Sequence, residues 1–233
     1  MKNKPLLIAL DVNRSEDALV LAAQLSPELC RIKVGKELYT REGRALVETL
    51  QGIGYDIFLD LKYHDIPNTV AAALRVAAEM GVWMVNVHAS GGRKMLEAAA
   101  DAVAHYRQPP LLIAVTVLTS LGDGELREIG IDEPLAAHVA RLTALAASSG
   151  LNGVVCSAHE AGAVKAAHGR DFLTVTPGIR PAGSSADDQT RTMTPAAALQ
   201  AGSDYLVIGR PVTRAEKPAA ALADIITSIK TGA

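Results

Sequence analysis

The densest chemistry in the chain lies in FLDLKYHDIPNT, Phe58 to Thr69. If this segment starts as a strand, Asp60 and Lys62 stand two residues apart and share a face. Asp65 follows just past the strand end, and Lys33, in an earlier apolar run, is placed to approach Asp60 from its other side. The expected result is an alternating array of Lys, Asp, Lys and Asp. Each charge then has opposite neighbours, which keeps both lysines protonated and both aspartates ionised even when buried. Such an array can act on charge that develops in a reaction. It can also be a structural salt-bridge network, with Asp65 serving the helix start near Pro67. A second group suits an anion. Pro177, Gly178 and Arg180 follow one apolar run, and Gly209 and Arg210 follow the next. Glycine lets backbone N–H groups approach a phosphate, and arginine offers a two-pronged charged fork. Taken singly, either arginine could equally be a surface residue. Gln189, in the long irregular piece Arg180 to Thr192, would add a donor when that loop closes.

Something must bring these residues to one place. Eight short apolar runs recur along the chain: Leu6 to Leu10, Arg31 to Val34, Ile57 to Leu61, Trp83 to Val87, Leu111 to Leu118, Gly153 to Cys156, Phe172 to Thr176 and Tyr205 to Ile208. Between them, apolar residues fall at helical spacing, as in Glu16 to Leu25, Arg41 to Leu50, Thr69 to Met80, Lys94 to Tyr106, Leu135 to Ala147 and Ala219 to Ile229. Eight strand-helix units predict an α/β chain closed into a single (β/α)8 TIM barrel, with its active site at the C-terminal ends of the strands. A doubly wound open sheet would carry GxGxxG or GxxxxGK[ST] after its first strand, and neither occurs. Chemistry-bearing residues do end the runs: Asp11, Lys33, Asp60 with Lys62, His88, Thr119 with Ser120, Ser157, Arg180, and Gly209 with Arg210. With no linker of biased composition, residues 1–233 read as one domain, and 180–192 as a phosphate-binding lid loop.

Composition narrows the partners. Hydrophobic residues are 49% of the 233, aromatics 3% and charged residues 21%, which predicts a core of Ala, Val, Leu and Ile and excludes disorder. The formal net charge of -2 gives no general attraction to nucleic acid or an anionic membrane. The first apolar run stops at Asp11, too short for a signal-peptide core or a membrane span, so a cytoplasmic protein is expected. Cys30 and Cys156 read as two buried thiols rather than a disulfide or metal site. His64, His105, His138, His159 and His168 lack metal-ligand spacing and read as solvent-facing or capping residues. His88 reads as a support for the charged array, and Trp83 and Tyr205 as rings packing at strand starts. No metal is expected.

Asp60-x-Lys62-x-x-Asp65-Ile66-x-x-Thr69 resembles the DxKxxDIxxT signature of the orotidine 5'-monophosphate decarboxylases. Asp11, Lys33 in IKVG, VHAS at 87–90, LTS at 118–120, PGIR at 177–180, Gln189 and VIGRP at 207–211 fall in that family's order, so the resemblance spans essentially the whole chain, as in the stand-alone bacterial form. It implies a cofactor-independent lyase of pyrimidine biosynthesis that converts orotidine 5'-monophosphate to uridine 5'-monophosphate and CO2. It further implies that Asp11 and Lys33 hold ribose hydroxyls, that Asp60 faces the substrate carboxylate and that Lys62 protonates the ring carbon. Ser120, with Thr119 beside it, would contact the pyrimidine. Pro177, Arg180, Gln189, Gly209 and Arg210 would serve the phosphate end. Asp65, Ile66 and Thr69 would reach the partner's site in a homodimer with shared active sites. Magnesium-dependent keto-gulonate-phosphate decarboxylases and hexulose-phosphate synthases share the DxKxxD segment, but IPNT after Asp65, Thr119-Ser120 and Gln189 are similar to the orotidine enzymes. A Schiff-base role for Lys62 is disfavoured by its flanking aspartates. A non-catalytic nucleotide-phosphate binder is the remaining alternative.

Overall fold

The computed structural model describes residues 4–181 and 192–232. Its strands are β1 (Leu6–Ala9), β2 (Arg31–Gly35), β3 (Ile57–Tyr63), β4 (Met84–His88), β5 (Leu111–Val115), β6 (Gly153–Val155), β7 (Leu173–Thr176) and β8 (Tyr205–Ile208). All pair in parallel and in sequence order, and β8 returns to β1, closing the (β/α)8 TIM barrel.

Both faces of each strand are apolar, yet alternate residues go to different places. Leu6, Ile8, Ile32, Val34, Ile57, Leu59, Val85, Val87 and Leu206 face the ring of helices in the larger core. Leu7, Phe58, Met84, Ile113 and Val175 fill the barrel interior, each no more than 1% exposed. Burying one such side chain contributes about 1.5–3 kcal/mol, so the lumen is a packed solid. Below it, at the strand starts, the Trp83 and Tyr205 rings meet edge to face at 5.0 Å, as their positions predict. The Arg31 guanidinium lies 4.1 Å above Trp83 and is tied to Asp56, 3.1 Å away, which also holds Lys4. Two residues further along β2 the same parity delivers Lys33, and one step beyond Phe58 and Met84 it delivers Asp60 and Asn86.

The helices α1 (Ser15–Gln24), α2 (Lys36–Gly52), α3 (Pro67–Glu79), α4 (Arg93–Ala104), α5 (Asp123–Glu128), α6 (Leu135–Ser148), α7 (Ala158–His168), α8 (Pro195–Gln200), α9 (Arg210–Thr213) and α10 (Pro218–Thr231) wrap the barrel. Three differences from the sequence pattern have physical causes. The α2 helix begins at Lys36 rather than Arg41, because Gly43 (φ 63°, ψ -152°) breaks it and only the second piece carries a sustained apolar stripe. The β5 strand stops at Val115 rather than Leu118. Thr116 spends both its N–H and its hydroxyl on the Val155 carbonyl, and the chain then turns, closed by Leu121 N–H on the Leu118 carbonyl. His138 is buried rather than solvent-facing: its Nδ1 is 2.5 Å from Glu133, which Arg141 also holds. Cys30 and Cys156 are buried thiols. Among the described residues no helix is long and apolar enough to cross a membrane.

Candidate active site

Asp60 sits at the centre of the mouth with its side chain 12% exposed. Lys33 Nζ lies 3.3 Å from its Oδ2 and Lys62 Nζ 2.6 Å from its Oδ1. Lys33 also reaches Asp11, 3.5 Å away at the rim. Within one chain the array is therefore Asp11, Lys33, Asp60, Lys62. Burial by itself would push the Asp60 carboxyl up. The Lys33 and Lys62 ammoniums, with hydrogen bonds from Lys62 and Asn86, outweigh it and hold the group below the ordinary carboxylate range. Asp60 is a fixed, buried anion between two fixed cations.

Simple alternation does not deliver Lys62. Leu59 pairs with Val85 and Tyr63 with Val87, so four residues of β3 span two of β4. The surplus bulges, and Lys62 takes φ 52°, the one positive φ outside glycine among the described residues. A left-handed conformation of this kind costs about 1–3 kcal/mol and persists only where neighbours over-determine it. Here the Lys62 N–H donates to Asn86 Oδ1 at 2.8 Å, and Asn86 Nδ2 donates to Asp60 Oδ1 at 2.7 Å. Asn86 is fully buried. Sequence reading missed it, although it was the polar residue of its run at the same parity as His88. His88 itself makes no hydrogen bond to the array among the described residues. Its ring lies against that of His64 with centroids 5.6 Å apart. Burial, then His64, Lys36 and Lys62, depress its pKa to about 4 against the opposing pull of Asp60. The polar support expected of His88 comes from Asn86.

Of the three cavities that Asp60 lines among the described residues, two differ sharply in character. One, of about 200 Å³, is walled by Phe58, Val115, Val117, Val155, Cys156 and Val207, with Lys62, Thr119 and Pro177 at its edge. It suits a flat, mostly uncharged ring. The other, of about 380 Å³, is polar and lined by Asp11, Lys33, Gly178, Arg180, Gly209, Arg210 and Arg214. Arg180 is buried, and its Nε has no hydrogen-bond partner among the described residues. A Cβ on Gly209 would sit 3.3 Å from Asp11 Oδ2, so glycine there keeps the passage between the loops clear. Arg214, one turn beyond Arg210, was not singled out from sequence, since nothing in GRPVTRAE marks it before α9 is known to curl back.

Other expected residues stand elsewhere. Asp65, Ile66 and Thr69 are exposed at the rim; the Asp65 carboxylate accepts from Ile66 N–H at 2.6 Å and makes no ion pair with Lys62 among the described residues. Ser120 is exposed beside Thr119. Gln189 and most of the 180–192 lid segment lie outside the described residues.

Residues 4–225 match the family model described as orotidine 5'-phosphate decarboxylase / HUMPS family. The chain is 59% identical over 225 residues to an orotidine 5'-phosphate decarboxylase of Teredinibacter turnerae, covering 97% of each protein. It is 62% identical over 218 residues to one from Chromobacterium violaceum, covering 94% of this chain and 88% of that one. The crystal structure of orotidine 5'-phosphate decarboxylase from Lactobacillus acidophilus superposes with a TM-score of 0.87 at 39% identity, covering 97% of this chain and 99% of that one. With the closed barrel, the Asp-Lys array at its mouth and this agreement along nearly the whole length, the chain belongs to the orotidine 5'-phosphate decarboxylase / HUMPS family.

Proposed function

We propose that the chain, acting as a single barrel domain, decarboxylates orotidine 5'-monophosphate to uridine 5'-monophosphate and CO2 in pyrimidine nucleotide synthesis. One observation carries the reading: Asp60, clamped by two ammonium groups, forms the wall shared by an apolar cavity and an arginine-lined one. A nucleotide whose ring carries a carboxylate matches that layout. The ring fills the apolar cavity beside Thr119 and Ser120. The phosphate lies among Gly178, Arg180, Gly209, Arg210 and Arg214, with Gln189 added from the 180–192 segment. The ribose spans Asp11 and Lys33.

Loss of CO2 breaks the bond from ring carbon to carboxyl and leaves the electron pair in the ring plane, where the π system cannot spread it. The Lys62 ammonium stabilises that developing charge and donates its proton to the ring carbon; solvent then restores the lysine. The Asp60 anion sits against the substrate carboxylate and favours its departure as neutral CO2. Contacts at the phosphate end are remote from the reacting bond and orient it. Asp65, Ile66 and Thr69, exposed at the rim, complete the site of a second copy in a two-fold dimer. The test is the fall in absorbance when orotidine 5'-monophosphate meets purified protein with a chelator present. Turnover there, abolished in Lys62→Ala while uridine 5'-monophosphate still binds, is the expected result. An inert parent, or activity that vanishes with chelator as for a magnesium-dependent sugar-phosphate enzyme, would overturn it.

A further inference from the structure

We infer that Asn86 is a positioning residue that sets both members of the reacting pair, Asp60 and Lys62, through the two ends of one side-chain amide. The inference rests on the reading of those two residues given above. Asn86 occupies the middle of β4, and its backbone pairs with Ile113 of β5, so its side chain is free to face the lumen. On the β3 side it is the single residue opposite the bulge between Leu59 and Tyr63. The ladder hydrogen bond that the bulge removes from Lys62 N–H is replaced by Asn86 Oδ1 at 2.8 Å. The other end of the amide donates to Asp60 Oδ1 at 2.7 Å, the oxygen that Lys62 Nζ touches at 2.6 Å.

A buried asparagine with only a packing role needs partners of any kind, and backbone groups satisfy most of them. Both side-chain hydrogen bonds of Asn86 instead go to the two groups assigned to the chemistry. The two bonds also do different things. Acceptance from Lys62 N–H holds the left-handed backbone at φ 52°, which aims the lysine back at Asp60. Donation to Asp60 fixes the carboxylate plane and gives it a third donor without adding a third charge. An aspartate in this place would keep the first function and invert the second. Alanine would lose both.

The variants Asn86→Ala and Asn86→Asp separate the two functions, with uridine 5'-monophosphate affinity and circular dichroism measured beside kcat. Asn86→Ala should lower kcat about 10- to 100-fold, the size expected from losing a hydrogen bond to a charged group, while nucleotide affinity changes less than about threefold. Asn86→Asp puts a second carboxyl oxygen against Asp60, which Lys33 and Lys62 already hold, with His88 two residues along the same strand. The two carboxyls then share a proton, and the pH profile of kcat gains an ionisation that the parent lacks. A purely structural residue would lower melting temperature and the fraction of active protein, leaving kcat per folded site and its pH profile alone. That outcome overturns the inference, as does kcat within about threefold of the parent for Asn86→Ala. If Asn86→Ala does not fold, the shape-conserving Asn86→Asp decides; failure of both to fold assigns Asn86 to the fold and overturns the inference. Lys62→Ala, run in parallel, distinguishes the two levels. If it is inactive while the Asn86 variants are unaffected, only the role of Asn86 falls; if it turns over, the proposed function falls first.

Discussion

Replacing Lys33 with methionine isolates the electrostatic role of the array, because methionine keeps most of the stem's volume and removes the ammonium. Lys33 Nζ is 3.3 Å from Asp60 Oδ2, and the two side chains are 9% and 12% exposed. At an effective dielectric constant of about 20, unit charges at that separation attract by about 5 kcal/mol. This is a ceiling. Opposite charges at such range lower a carboxyl by about 1–3 pH units, or about 1.4–4 kcal/mol, once solvent entry and relaxation are included. Lys62 remains in the variant, so Asp60 keeps one cation beside it, and the acid limb of kcat/KM should move to higher pH. Stability offers a second readout. A carboxyl held below its ordinary value of 3.8 in the folded chain contributes stability above that value, and the contribution is lost as pH falls through the folded value. Lys33→Met shrinks the depression, so the variant should be less stable than the parent at neutral pH, and the gap should narrow on acidification below 3.8. Steady-state rates and urea unfolding over the same pH series measure both. An acid limb that stays put, with a stability gap that ignores pH, would refute the account of Asp60.

Arg210→Ala should weaken kcat/KM for orotidine 5'-monophosphate much more than for orotidine, since the residue lines the polar cavity; equal losses on both substrates would remove phosphate from that cavity. Lys62→Ala and Asp65→Ala, each inactive alone, should recover about a quarter of parental activity when their subunits are exchanged, because half the dimers are then mixed and each has one intact site. Activity that stays at zero after verified exchange would mean that Asp65 serves its own chain. Since the folded-state pKa of His88, about 4, lies below its ordinary 6.5, the unfolded chain binds more protons between those values and stability should rise with pH across that window. Urea unfolding of His88→Gln should show a flatter profile there, and an unchanged slope would contradict the burial of a neutral ring.

Much of this site was legible before the fold was seen. Lys33 and Asp60 lie on neighbouring strands of a barrel whose lumen positions follow strict alternation, so residue type and spacing sufficed to bring them together. Lys62 was placed correctly beside Asp60 for a reason that alternation does not contain: the bulge depends on which residue of β4 stands opposite, and register is not written locally. Asn86 was invisible for the same cause. Its sequence context, VNVH, gives no hint that its amide spans two residues of another strand. The Arg31 contact with Trp83 was hidden too, since a charged residue stacked under a packed lumen reads as an exposed strand start. The rim residues were legible chiefly as a motif, because among the described residues Asp65 bonds only locally, to Ile66 N–H, and makes no ion pair.

The floor of Arg31, Trp83 and Tyr205 beneath the sealed layer of Leu7, Phe58, Met84, Ile113 and Val175 has a consequence for traffic. Among the described residues, a lumen filled by five side chains, each no more than 1% exposed, behaves as a blind well. In the proposed reaction, the small neutral fragment released beside Asp60 would leave by the same rim through which the nucleotide entered. Departure is then a queue: the gas molecule passes the nucleotide on its way out or follows it, and widening the mouth hastens both while piercing the floor would give the smaller one an exit of its own.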